Sequence, residues 1–186
     1  MDRITSRRAQ ALLAATLALG PVPAVHADET LMCNATITSL PYTITTQGHY
    51  CFDRNLSTAQ TAGAAITINA DFVTLDLNGF KLGGGAAGPA TLTTGVAATD
   101  RKNLVIRNGN IRGFRSGIFV GGAASKAVII EDMRLDENMT NGIVVFGNNH
   151  VLRDNSVSDS GGNTTGSLVT GIAAFGESAQ IINNAV

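Results

Sequence analysis

Residues 126–160 read KAVIIEDMRLDENMTNGIVVFGNNHVLRDNSVSDS, and one short pattern occurs in them twice. Ile130-Glu131-Asp132-Met133-Arg134-Leu135 is followed 22 residues on by Leu152-Arg153-Asp154-Asn155-Ser156-Val157. In each copy an apolar residue is answered five places later by another, and a charged residue and then an Asp follow the first. The register extends both ways, to Ile106 with Ile111, Leu77 with Leu82, and Ile181 with Val186. The first positions, Leu77, Ile106, Ile130, Leu152 and Ile181, are spaced 29, 24, 22 and 29 apart. A second marker, Gly117-Ile118, Gly142-Ile143 and Gly171-Ile172, keeps the same phase. Its Ile falls 12, 13 and 20 residues after the preceding first position, and the excess in the last copy matches the loop SGGNTTG at residues 160–166.

A period of this size means that each repeat is one supersecondary unit stacked on its neighbours. The segments are short, rich in Val, Ile and Thr, and separated by Asn-Gly, Gly-Gly and Asn-Asn, which are strand and turn signals. A leucine-rich repeat has a similar length but needs Leu at fixed places around a fixed Asn, a consensus missing here. The pattern therefore predicts an all-β chain coiled as a parallel β-helix, in which equivalent residues of successive coils form columns about 4.8 Å apart. On that register Asp132 stacks next to Asp154, with Asn108 before them and Asn183 after. The adjacent column reads Asn78, Arg107, Glu131, Arg153, and another sets Arg112 beside Asp136.

The chain has 186 residues, 21 of them Gly, no Trp and only 15% charged residues, which suits one solenoid with a small aliphatic core. Residues 1–27 read as a secretory signal: Arg3, Arg7 and Arg8, then the apolar run ALLAATLALG, then Val25-His26-Ala27 as a small-residue cleavage site. The compact apolar block opposes the alternative of a mitochondrial transit peptide, and the run is too short to span a bilayer. An exported chain, secreted or periplasmic, follows as the expectation, with no membrane span elsewhere. Removing residues 1–27 takes three Arg and one Asp from the 13 cations and 14 anions, leaving 10 and 13, a formal charge of −3. With no basic run interleaved with aromatics, nucleic acid is excluded as a partner. Cys33 and Cys51, 18 apart, are expected to form a disulfide in an exported chain, with two buried free thiols as the alternative. Asn-x-Ser/Thr sequons stand at Asn34, Asn55, Asn138 and Asn163.

In chain order, residues 28–64 fall outside the repeat. They read as short strands at Thr36-Ile37-Thr38, Tyr42 to Thr45 and His49 to Phe52, and are expected to form an N-terminal cap, since terminal units of solenoids are atypical. Residues 65–186 are the repeats. The soft Gly/Ala-rich stretch at residues 83–99 holds a longer turn and one weak strand. The sequence stops at Val186 in mid-unit, so either the reading frame is a fragment or another chain covers an open end, which makes self-association through that coil an expectation.

TITSLPYTITTQGHYCF (36–52), AITINADFVTLDLNGFKL (65–82) and NLVIRNGNIRGF (103–114), in that order, resemble the start of secreted bacterial right-handed parallel β-helix repeat proteins of the pectin-lyase-like superfamily. The resemblance implies a right-handed coil and a place among proteins that include polysaccharide lyases, glycoside hydrolases, epimerases, tailspikes, adhesins and a periplasmic copper-enzyme accessory protein. Fold does not choose among them. In hydrolases of that superfamily clustered carboxylates act as acid and base. In its lyases carboxylates bind calcium and an Arg or Lys removes a sugar proton. On this chain the matching candidates are Asp132, Asp154 and Arg153 for catalysis and Asp132 with Asp154 for calcium. Asp136, Asp159, Arg134 and His150 lie near them in sequence.

The same column has a structural reading, an Asn/Asp ladder tying turns together, and alternating charges in adjacent columns give most ions a local partner. His150 reads as an exposed turn residue and His49 as part of the cap. No His/Cys/Met spacing points to a transition-metal site. No nucleophile elbow or phosphate-binding Gly loop is present. Phe114, Phe119, Phe146 and Phe175 are the candidates for sugar stacking, with Phe146 and Phe175 in one column expected to face inward. Two functions follow as expectations: a β-helix protein that binds or processes a polysaccharide along its flank, or a non-enzymatic adhesin-like or assembly scaffold.

Overall fold

The computed structural model describes residues 33–162 and 167–186. The expected signal segment, residues 1–27, lies outside them, as do residues 163–166 of the SGGNTTG loop. β1 (Ala35–Ile37) leads. β2 (Tyr42–Ile44), β3 (Gly48–Phe52) and β4 (Leu56–Ser57) form a coil, and β5 (Ala64–Ile68), β6 (Val73–Asp76) and β7 (Lys81–Gly83) the next. A 3₁₀ turn at Gly85–Ala87 is the one helical element among the described residues. Then come β8 (Thr94–Thr99) with β9 (Lys102–Arg112), β10 (Ser116–Gly121) with β11 (Lys126–Asp136), β12 (Asn141–Phe146) with β13 (Val151–Arg153) and β14 (Ser156–Ser158), and β15 (Thr170–Phe175) with β16 (Gln180–Ile182). All pair in parallel with the equivalent strand of the neighbouring coil, giving a β-solenoid of about five turns.

The repeat register holds where the sequence pattern is strongest. Ile106, Ile130, Leu152 and Ile181 are aligned, as are Ile111, Leu135 and Val157, and Ile118, Ile143 and Ile172. These aliphatic columns fill the interior, and Phe52 and Phe114 are the fully buried aromatics. The first coil departs from the expected register. Leu75, not Leu77, pairs with Ile106, while Leu82 does pair with Ile111. Asn78 and Gly79 both have positive φ (48° and 77°), and this wider turn inserts two residues that equal spacing could not reveal. Asp76 therefore replaces Asn78 at the head of the charged column, which becomes Asp76, Arg107, Glu131, Arg153. The stack also begins earlier than Ala65: β2, β3 and β4 already pair in register with β5, β6 and β7. The Cys33–Cys51 disulfide forms and joins the segment before β1 to β3.

Single residues bend the chain between faces. Asn108, Asp132, Asp154 and Asn183 share one corner, with φ of 56°, 52°, 57° and 51°. In β9 and β11 this residue sits inside an 11-residue strand and divides it into two arms, each paired separately with the neighbouring coils. Left-handed backbone is several-fold enriched in Asn and Asp among non-Gly residues. The Asn/Asp column thus has a conformational cause before any chemistry is asked of it. A second column is fixed by space. A Cβ on Gly117 would lie 2.8 Å from the Gly142 carbonyl oxygen, and one on Gly142 2.6 Å from that of Gly171. The Gly-Ile marker is therefore a packing requirement between coils.

Candidate functional site

The second arms of the coils present outward columns that read Lys81, Asn110, Arg134, Ser156 and Gly83, Arg112, Asp136, Ser158. Strand alternation makes this possible: Ile111, Leu135 and Val157 point in, so their neighbours point out. With the corner residues they form a polar flank. One depression of about 430 Å³ is lined by Asn110, Arg134, Asp136, Ser156, Ser158 and Asp159. A second, of about 290 Å³, is lined by Asn108, Asn110, Asp132 and Arg134 with Gly79 and Gly109. Arg134 borders both.

Several ions near this flank are engaged. Asp136 accepts a hydrogen bond from the Asn110 amide at 2.6 Å and lies 3.3 Å from Arg112 Nε, while Arg112 also pairs with Glu137. The Glu137 hydrogen bond and the charge of Asp136 raise the Arg112 pKa further. Arg134 has no ion-pair partner among the described residues, although it is exposed.

The register places Asp132 and Asp154 side by side, one coil apart, both exposed. Asp154 accepts a hydrogen bond from the Asn183 amide at 2.6 Å, as the ladder reading expects. Arg153 is bound to Glu131, its Nε and Nη2 lying 2.8 and 2.5 Å from the same carboxylate oxygen. That hydrogen bond, with the Glu131 charge, raises the Arg153 pKa above its ordinary value. Held by Glu131, the guanidinium would have to lose its own proton before it could take one from a sugar, which argues against proton abstraction by Arg153. Asp76, at the head of the charged column, is buried and accepts from Arg107 Nε at 2.8 Å, the Asn108 amide at 3.1 Å and the Asn78 backbone N–H at 2.8 Å.

Three readings of single side chains change. His150 is fully buried rather than exposed: its Nδ1 accepts from the Val128 N–H at 3.2 Å, and its Nε2 lies 3.1 Å from the Phe146 carbonyl. It thus fills the turn between β12 and β13, and burial lowers its pKa against the opposing effect of the Phe146 carbonyl. Phe146 and Phe175 share a column as expected but face outward, 36% and 52% exposed. Phe119 leans across Gly121 to extend the row, with ring centroids 5.9 Å and then 4.7 Å apart. Phe146 and Phe175 stack nearly parallel (16°), so each covers one face of the other, and those faces are not free for a sugar to stack on. Third, the absence of metal-like spacing in the sequence is overtaken by the fold. Strand β3 sets His49 Nε2 3.5 Å from Cys51 Sγ, and pairing of β1 with β3 brings Cys33 to the same place.

The sequence reading missed an asparagine pair of which Asn155 is buried. Asn155 is 2% exposed. Its side chain donates to the Ile130 carbonyl and to Asn184 Oδ1, both at 2.9 Å, and accepts from the Met133 N–H at 3.1 Å. Asn184 continues the ladder to the Leu152 carbonyl at 2.7 Å. The visible signal was an Asn directly after the corner residue in two copies, Asp154-Asn155 and Asn183-Asn184. No protein-family model, curated protein or solved structure matches this chain.

Proposed function

We propose that this is an exported β-helix protein of the pectin-lyase-like kind that binds a polysaccharide along the polar flank centred on Arg134. The observation that carries the reading is Arg134 itself, an exposed cation without an ionic partner among the described residues, set between two depressions rimmed by Asn, Asp and Ser. Those side chains offer donors and acceptors suited to sugar hydroxyls, repeated about every 4.8 Å along the coil axis. The signal-like residues 1–27 and the Cys33–Cys51 disulfide support export. Processing of the glycan would fall to Asp132 and Asp154, alone or with calcium, rather than to Arg153. The test is a glycan array with wild type, Arg134→Ala and the Asp132→Ala/Asp154→Ala pair. Binding lost in Arg134→Ala with the circular dichroism unchanged supports the reading, and no glycan bound by wild type sinks it. Assay of released reducing ends and unsaturated products then separates binding from turnover.

A further inference from the structure

The aliphatic interior turns Tyr50 and Phe52 inward, so the alternate residues of β3, His49 and Cys51, face outward beneath the segment that carries Cys33. The Asn34 side chain fixes that segment, its Oδ1 accepting from the His49 N–H at 2.6 Å. His49 is more than nine-tenths buried, its Nδ1 has no hydrogen-bond partner among the described residues, and its Nε2 points at Cys51 Sγ. The Nε2 of this buried imidazole meets only a disulfide sulfur, a weak hydrogen-bond partner.

We propose that Cys33, Cys51 and His49 form a redox-gated site for a thiophilic divalent cation, with Zn²⁺ as the fitting ion. The ligand atoms of all three already lie within 4.8 Å of one another. Bond lengths of about 2.3 Å to sulfur and 2.0–2.1 Å to nitrogen at a tetrahedral angle require an S···N edge of roughly 3.5 Å. The observed Nε2 to Cys51 Sγ distance is 3.5 Å. The S···S edge must open to about 3.8 Å by the same geometry. Reduction supplies this, because sulfurs that are no longer bonded move apart to van der Waals contact, while Cys51 stays in β3.

The chemistry has two steps. A dithiol gives two electrons and two protons to the Cys33–Cys51 bond and leaves as its own disulfide. Zn²⁺ then displaces the two thiol protons, forming two Zn–S bonds, with an imidazole nitrogen as third ligand and water as fourth. The oxidised chain offers His49 alone and does not hold the ion.

The test uses the whole chain, oxidised or reduced with a phosphine, with Co²⁺ as the spectroscopic probe and Zn²⁺ measured by competition against a chromophoric chelator. The expected result is one ion per reduced chain with sulfur-to-cobalt charge-transfer and tetrahedral d–d bands, none in the oxidised chain, and at least tenfold weaker Zn²⁺ binding by reduced His49→Ala. Cys33→Ser should remove the charge-transfer band. Circular dichroism of the reduced chain and of the Cys33→Ser/Cys51→Ser variant checks that the coil stays folded. Equal binding by oxidised protein, undiminished binding by His49→Ala, or loss of the coil on reduction would each overturn the proposal.

Discussion

Replacing Asn155 by Ala tests whether the corner is held by side-chain hydrogen bonds rather than by the aliphatic columns alone. The amide makes three of them, to the Ile130 carbonyl, the Met133 N–H and Asn184 Oδ1, in a site 2% exposed. Truncation leaves the Ile130 carbonyl and the Met133 N–H facing a small cavity without these partners. Each stranded backbone group costs about 1–3 kcal/mol. Asn184 keeps its bond from the Asn155 N–H, so its loss is smaller. The expected destabilisation is about 2–6 kcal/mol, a large share of the 5–15 kcal/mol typical of a domain. Urea unfolding followed by far-ultraviolet circular dichroism measures it, with exposed Ser158→Ala as the control, expected within about 0.5 kcal/mol of wild type. A loss for Asn155→Ala no greater than the control's would refute the reasoning, since the backbone groups would then have found other partners.

Gly142→Ala places a methyl 2.5 Å from Val157 Cγ1 and 2.6 Å from the Gly171 carbonyl oxygen, so overpacking of about 1–3 kcal/mol is expected in the same unfolding assay. At the corner, Asp132→Asn and Asp154→Gly should be nearly silent in stability, whereas Asp154→Val should cost about 1–2 kcal/mol because a β-branched residue resists left-handed backbone. The pH dependence follows from His150 and His49, whose folded pKa values both lie below the ordinary 6.5. The unfolded chain then binds more protons, so their contribution to stability is fully present above pH 6.5 and is lost as pH falls from there toward the folded values. His150→Gln should flatten the part of that slope due to His150, read from urea midpoints over the same range.

The fold was legible where the period was uninterrupted. The pairs Ile106/Ile111, Ile130/Leu135 and Leu152/Val157, with the Gly-Ile markers, specify columns because each inward position must meet another apolar residue one coil away. It was misread at Leu77, where Asn78-Gly79 lengthens the turn without disturbing the apolar spacing on either side. His150 was misjudged because neighbouring Asn-Asn signals a turn. Turn residues are usually exposed, yet here the imidazole replaces a missing backbone partner at Val128. Phe146 and Phe175 face outward because inward positions alternate with them: Ile143 and Val145 already fill the core, and the next residue on the strand must point away.

The candidate site was half legible for a reason internal to solenoids. A column of Asp and Asn satisfies two demands at once, left-handed backbone at a corner and a polar surface, so residue type alone cannot assign Asp132 and Asp154 to chemistry. Arg134 escapes that ambiguity. It stands two residues past the corner, on an arm whose backbone conformation asks nothing of its side chain. The neighbouring cations Arg107, Arg112 and Arg153 each meet a carboxylate, whereas Arg134 meets none among the described residues. Conformation explains Asp132 and Asp154, and ion pairing explains Arg107, Arg112 and Arg153. Arg134, between two depressions and in one column with Lys81, is left for a ligand to use.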